Sequence, residues 1–206
     1  MKISKRIKTI CEFVPTNSKV IDIGADHALT DIYLEKTKNC NCLATDISEN
    51  AIEKAKENIK KANAKVKTKV TNGLKGIKIN DEIIIISGMG AHTIINILDK
   101  NIKNDIIISS NNNVPLIRKF MISKGYHIEK EVAIKDKYYY VITYYKYGKN
   151  KKINYLLSPF LLNNKEYMTH LLKFYEMKYT KETNIKKKIN YYILKSKIQK
   201  IIKKKV

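Results

Sequence analysis

No stretch of this sequence approaches the ~18 consecutive apolar residues needed to span a bilayer. Its charged opening, Met1-Lys2-Ile3-Ser4-Lys5-Arg6, lacks the apolar core of a signal peptide. A cytoplasmic protein with no membrane partner is expected. Cysteine is scarce: Cys11, Cys40 and Cys42 are odd in number, form no C-x-x-C pair and have no His or Cys at zinc spacing. Reduced, buried thiols and no metal site follow. Arginine is scarcer still, with only Arg6 and Arg118, so the positive charge is carried by lysine, as an A+T-rich coding bias would produce. Acidic residues are also few, 19 against 41 Lys and Arg, leaving a net charge of +22. Such a surface favours polyanions, nucleic acid before anionic membrane, over acidic-protein-like or cationic ligands.

The 206 residues, 44% of them hydrophobic, suit one main domain plus a modest appendage and exclude disorder throughout. Residues 1–150 carry net +10 and residues 151–206 net +12, so the tail is the basic part. Apolar runs at 19–23, 42–46, 66–71, 83–87 and 106–109 alternate with helical patterns, the signature of βαβ units and a parallel sheet. Ile83-Ile84-Ile85-Ile86 is apolar on both faces, as a central strand covered by helices must be. Ser48 caps a crossover helix with Ile52, Ala55 and Ile59 on one side. Runs 126–135 and 138–147, joined at Asp136-Lys137, predict an antiparallel hairpin at the sheet's end. A polar linker at 148–154 precedes two amphipathic helices. Met168, Leu171, Leu172, Tyr175 and Tyr179 mark one stripe, and Ile185, Ile189, Tyr192 and Ile193 the other, giving an antiparallel helical hairpin. The expected class is α/β: a Rossmann-like, mostly parallel sheet over residues 1–148 and a basic helical appendage over 149–206.

In open α/β sheets ligands bind beyond the carboxyl ends of the strands, where strand order reverses. The first such end reads Asp22-Ile23-Gly24-Ala25-Asp26-His27, with no G-x-G-x-x-G. A dinucleotide's pyrophosphate needs glycines at a helix N-terminus and tolerates Asp26 badly, so NAD is disfavoured and a cofactor carrying an ammonium or sulfonium favoured. Asp46, followed by Ile47 at the second end, can accept both hydroxyls of a ribose. Asn72-Gly73 reads equally as an adenine-facing amide or a structural turn. Gly88-Met89-Gly90 allows close backbone approach, and Ser109-Ser110-Asn111-Asn112-Asn113 completes a polar rim.

Asp22-Ile23-Gly24-x-Asp26-His27, Gly88-Met89-Gly90, the Asn111 turn, Lys137-x-Tyr139-x-Val141, Pro159-Phe160-Leu161 and the opening Ile3-Ser4-Lys5-Arg6-Ile7 together resemble bacterial tRNA adenine-22 N1-methyltransferases of the TrmK type, class I S-adenosyl-L-methionine enzymes. The resemblance runs over nearly the whole chain. It implies that Asp22, Ile23, Gly24, Ala25 and Asp26 surround the methionine part of the cofactor, that Asp46 with Ile47 holds the ribose, and that Asn72 and Gly73 lie by the adenine. This chain departs from the family's pattern at Asn72-Gly73, where Asp-Gly is common, at Thr30-Asp31, where Leu-Pro is common, and at Ala91, where a second Gly is common.

Methyl transfer by in-line displacement asks mainly for positioning and exclusion of water. The target N1 is hidden in any paired base, so an exposed or extruded adenine is expected in a pocket by Gly88, Met89, Gly90 and Asn111. Asp26 and His27 are the candidates for assisting proton loss from the methylated base, with helix capping the other reading of His27. Arg6 reads as a grip on the cofactor carboxylate, a phosphate contact or a solvated helix residue. The tail lysines, interleaved with Tyr191 and Tyr192, read as an RNA clamp. Tyr138–Tyr140 and Tyr144–Tyr147 can stack bases, although alternate tyrosines of an edge strand belong to the core. A monomer acting on tRNA is expected; methyl transfer to another RNA base or a small molecule, and a non-catalytic RNA-binding fold, are the competing readings.

Overall fold

A computed structural model describes residues 3–148 and 154–203. Five parallel strands, β1 (Lys19–Ile23), β2 (Asn41–Asp46), β3 (Lys67–Val70), β4 (Ile83–Ser87) and β5 (Ile106–Ser109), follow α1 (Lys5–Phe13); α2 (Leu29–Lys38), α3 (Glu49–Lys61) and α4 (Ala91–Leu98) connect them, except that a loop without a helix joins β3 to β4. After α5 (Val114–Ser123), β6 (Tyr126–Lys135) and β7 (Tyr139–Tyr147) form the antiparallel hairpin. The seven strands run β3-β2-β1-β4-β5-β7-β6. Every strand expected from sequence is present, within a residue of its expected ends. One detail differs: β7 lies inside the sheet, antiparallel to β5, so β6 forms the edge.

Period-two alternation divides the sheet into two cores. Ile21, Ile23, Ile84, Ile86 and Ile108 face α4 and α5 on one side. Val20, Ile83, Ile85 and Ile107 meet Ile10, Cys11 and Leu34 on the other. The three cysteines are free and buried there, and burial pushes the Cys11 and Cys42 thiols far up. Strand β3, at the opposite edge, is polar and exposed, as the outermost strand can be.

The tail forms a short 3-10 turn, Pro159–Leu161, then α6 (Lys165–Lys181) and α7 (Ile185–Lys203). Most of the linker expected at 148–154 lies outside the described residues. On α6 the expected stripe packs inward through Met168, Leu171, Leu172 and Tyr175, while Tyr179 lies outside this core, against the Tyr192 ring of α7. On α7 it does not: Ile185, Ile189, Tyr192 and Ile193 are exposed, while Tyr191, Leu194, Ile198, Ile201 and Ile202 face the core. Isoleucine is so common that α7 carries apolar residues on two sides, and packing against α6 selects the second. The tail shares its core with Ala133 and Val141 of the hairpin.

Beneath this junction Arg118 and Glu131 form a buried bidentate pair, at 3.0 and 2.9 Å. Arg118 also donates to Tyr155 O (3.3 Å) and Leu156 O (3.1 Å). Glu131 accepts from Thr143 Oγ1 at 2.7 Å and from the Ser158 hydroxyl. Buried charges are tolerated because each is paired and fully hydrogen-bonded. This pair clasps α5, β6, β7 and the start of the tail.

Candidate active site

Strand order reverses between β1 and β4, and the loops after these strands form the candidate site. Gly24 turns the chain at φ +75°, and its N–H and that of Ala25 both donate to Thr45 O (2.8 and 2.9 Å), tying the loop to the end of β2. The positive φ favours glycine here, and a Cβ would lie 2.2 Å from Met89 Cε, so the end of that flexible side chain would have to move aside. Asp26 and Ala28 also adopt left-handed backbone, at φ +49° and +53°. Such strain in non-glycine residues persists only where the surroundings over-determine it. Here Asp26 N–H donates to Asp46 Oδ2 (3.3 Å), Asn58 Nδ2 donates to His27 O (3.1 Å), and Ala28 is sealed against Ala44 and Ala55.

Gly88, at φ +80°, donates its N–H to Ser109 O (3.0 Å). The Asn111 amide donates to Gly88 O, and its backbone N–H donates to Met89 O (2.9 Å). Helix α4 begins at Gly90, which has no side chain to cap it, so Asn112 Oδ1 accepts the Ala91 N–H (2.9 Å) in its place. Asn111 and Met89 are thus loop-shaping residues as well as rim residues.

Between the loops lies a cleft of about 290 Å³ faced by Arg6, Asp22, Gly24, Asp26, His27 and Gly88. The Arg6 guanidinium stacks over the Tyr140 ring at 4.9 Å and lies beside Gly88. His27 Nε2 is 3.4 Å from Asp26 Oδ2 at the cleft mouth. Asp46 directs Oδ1 to the Ser48 N–H (2.9 Å), and Ile47 beside it is 67% exposed. Asn72 and Gly73 do not reach this cleft. They line a neighbouring depression with Thr93 and Ile97 of α4.

At the floor lies a residue whose type alone suggested no role. Asp31, on the first turn of α2, is wholly buried with Asp22. Asp22 Oδ1 and both Asp31 oxygens have no hydrogen-bond donor among the described residues. Two adjacent acids without donors satisfy each other only when a proton lies between them. Burial, with the nearby Asp46 charge, pushes Asp22 up to about 7 despite the opposing pull of Asp31's hydrogen bond and Arg6. Burial and the Asp22 charge push Asp31 well above the usual carboxylate range. The Thr30-Asp31 departure was visible in the sequence; its depth was not.

Strand order, a glycine-turned first loop and an acid at the end of β2 define a class I methyltransferase-like α/β fold. The chain belongs to the methyltransferase domain family, which matches residues 3–143. It is 29% identical over 145 residues to the tRNA (adenine(22)-N(1))-methyltransferase of Bacillus subtilis, an alignment covering 66% of this chain and 61% of that protein. The match thus spans under two thirds of the relative's length. Among solved structures, TrmK of M. capricolum in complex with S-adenosyl-homocysteine superposes with a TM-score of 0.85 at 25% identity, covering 98% of this chain and 99% of that one. A Streptococcus pneumoniae protein in complex with S-adenosyl-L-methionine gives 0.85 at 21%, covering 98% and 100%.

Proposed function

We propose that this chain is an S-adenosyl-L-methionine-dependent methyltransferase acting on N1 of adenine 22 in the D-arm of tRNA, a cytoplasmic substrate. The observation that carries the reading is the Arg6–Asp22–Gly88 cleft at the strand-order reversal, in a chain whose similarity to TrmK structures extends through the tail. The residues present fit the cofactor. Asp22, buried and short of donors, suits an ammonium; Arg6 suits a carboxylate; Asp46 suits ribose hydroxyls; exposed Ile47 offers an apolar face to a purine, with Asn72 and Gly73 further along the rim. Residues 1–148 would hold the cofactor and residues 149–206 the RNA.

The bound cofactor supplies an electrophilic sulfonium methyl. The protein's part is to place the adenine N1 in line with it and exclude water. Gly88, held open by the Asn111 amide, leaves room for a flat base beside Arg6 and Tyr140. As the N1–CH3 bond forms, the S–CH3 bond breaks, and the cation left on the base is relieved by losing an exocyclic amine proton. Asp26 and His27, paired at the cleft mouth, are the groups placed to receive it.

The test is to incubate the purified protein with unmodified tRNA transcripts and labelled S-adenosyl-L-methionine, digest the RNA and map the product. N1-methyladenosine in the D-arm is expected. A different methylated nucleoside would keep the cofactor reading and sink the specificity. Cofactor binding without transfer to any tRNA would redirect the search to other RNAs or small molecules.

A further inference from the structure

A second cavity, of about 470 Å³, lies between the loop after β5, strand β7 and the two tail helices. It adjoins the catalytic cleft, because Asn111 and Tyr139 border both this groove and the basin that holds Arg6 and Gly88. Its wall is aromatic. The Tyr139 and His170 rings are stacked, with centroids 4.2 Å apart and planes inclined by 27°. The Tyr139 hydroxyl donates to Glu166 at 2.5 Å, which fixes the ring plane, and Lys135, 3.2 Å from the same carboxylate, neutralises that acid. Phe174 is 38% exposed at the groove, with the Lys178 ammonium 5.6 Å from its ring centroid. Asn111 and Asn190 add amide groups that can both donate and accept.

Aromatic rings lining the groove, amides of both polarities and a lysine ammonium are what an unstacked nucleobase needs: a ring to stack on, an edge to read and a cation for its phosphate. An apolar peptide would leave the amides unsatisfied, and a lipid surface would meet a concavity rather than an apolar face. We propose that this groove binds a second unstacked base of the RNA substrate, a nucleotide flanking the one methylated, so that two adjacent bases are splayed between the catalytic cleft and the tail. The inference rests on the RNA-methyltransferase reading above and assigns Tyr139, His170 and Phe174 a specificity role.

The chain contains no tryptophan, so Phe174→Trp places a single indole emitter in the groove. It would be titrated with an unmodified tRNA transcript and with the same transcript made abasic on both sides of the target adenine. The expected results are quenching by the intact transcript, little quenching by the abasic one, and, for the wild-type protein, a KM for the abasic transcript raised by about tenfold, within the range expected for removing one base stack. Cofactor affinity should not move. Equal quenching by both transcripts with an unchanged wild-type KM would overturn the inference, and the KM comparison needs no variant to fold. Failure of wild-type protein to methylate any transcript would instead defeat the underlying reading, while base-dependent quenching would still support the groove.

Discussion

Asp31 lies wholly buried beside Asp22, and it turns a single buried acid into a proton-sharing pair. Its effects on pH follow from sign. The folded protein keeps the Asp22 proton up to about pH 7, whereas the unfolded chain sheds it near its ordinary value of 3.8. Unfolding therefore releases protons in that window, and the stability of the unliganded protein falls as pH rises through it, by about 1.4 kcal/mol per unit while the proton stays bound. A cofactor ammonium needs Asp22 ionised, so affinity should rise as pH passes about 7. Asp31→Asn can donate to Asp22 instead of competing for its proton. The variant should melt at a higher temperature than wild type near pH 8, and its cofactor-affinity profile, read by calorimetry, should shift to lower pH. An unshifted profile would remove Asp31 from cofactor binding. Gly24→Ala, forced to φ +75° against Met89, should lose about 1–3 kcal/mol of stability and most of its cofactor affinity, measured by thermal melts and titration. The motif around Gly24 was legible because glycine and acid have few other uses there. The burial of Asp31 was not, because depth depends on which helix turn faces the sheet.

Elements were the most readable scale. β1, β4, β5 and β6 match their expected limits: β4 and β5 because central strands covered by helices are apolar on both faces and Ile-Ile-Ile-Ile has few other readings, and β6, an edge strand, because Gly125 and Asp136-Lys137 bound its β-rich run. The face of α7 differs for the opposite reason: apolar residues on two sides leave the choice to packing, which is made against α6, with Ala133 and Val141 of the hairpin completing the shared core. Distance in sequence hid the Arg118–Glu131 clasp, since its ligands Thr143, Tyr155, Leu156 and Ser158 span both sides of the linker. Removing one member of a buried pair strands the other, at about 3–5 kcal/mol. Glu131→Gln leaves Arg118 unpaired and should lower the thermal midpoint and loosen the tail, seen as faster amide exchange in α6 and α7. Arg118→Met with Glu131→Leu should recover only part of the loss, because the Thr143 and Ser158 hydroxyls and the carbonyls of Tyr155 and Leu156 would then lack their partners. A midpoint for Glu131→Gln equal to wild type would show that the clasp is not what fastens the tail.

At the scale of the whole molecule, the charge asymmetry and the shared core make conflicting demands on any test of the tail. Deleting it would remove its lysines, but it would also uncover Ala133 and Val141 and open the Arg118 clasp, so weakened RNA binding in a truncated protein would not identify its cause. Neutralising surface charge separates the two. Lys186, Lys187, Lys197 and Lys200 are exposed on α7, whereas Lys195 is paired with Glu176 and Lys188 lies over the Tyr179 ring. If the exposed four bind tRNA phosphates, each releases condensed counterion on binding, and replacing each by Gln should reduce the slope of log affinity against log salt by about one per phosphate left unneutralised. The quadruple variant should bind tRNA several-fold to a hundredfold more weakly near physiological salt, keep its melting temperature and cofactor affinity, and approach wild type at high salt, where the released ions gain little. Lys195→Gln should hardly change the slope, because its partner is already Glu176. A quadruple variant with an unaltered salt slope would place the phosphate-binding groups elsewhere and leave these four lysines as drift on a solvated helix face.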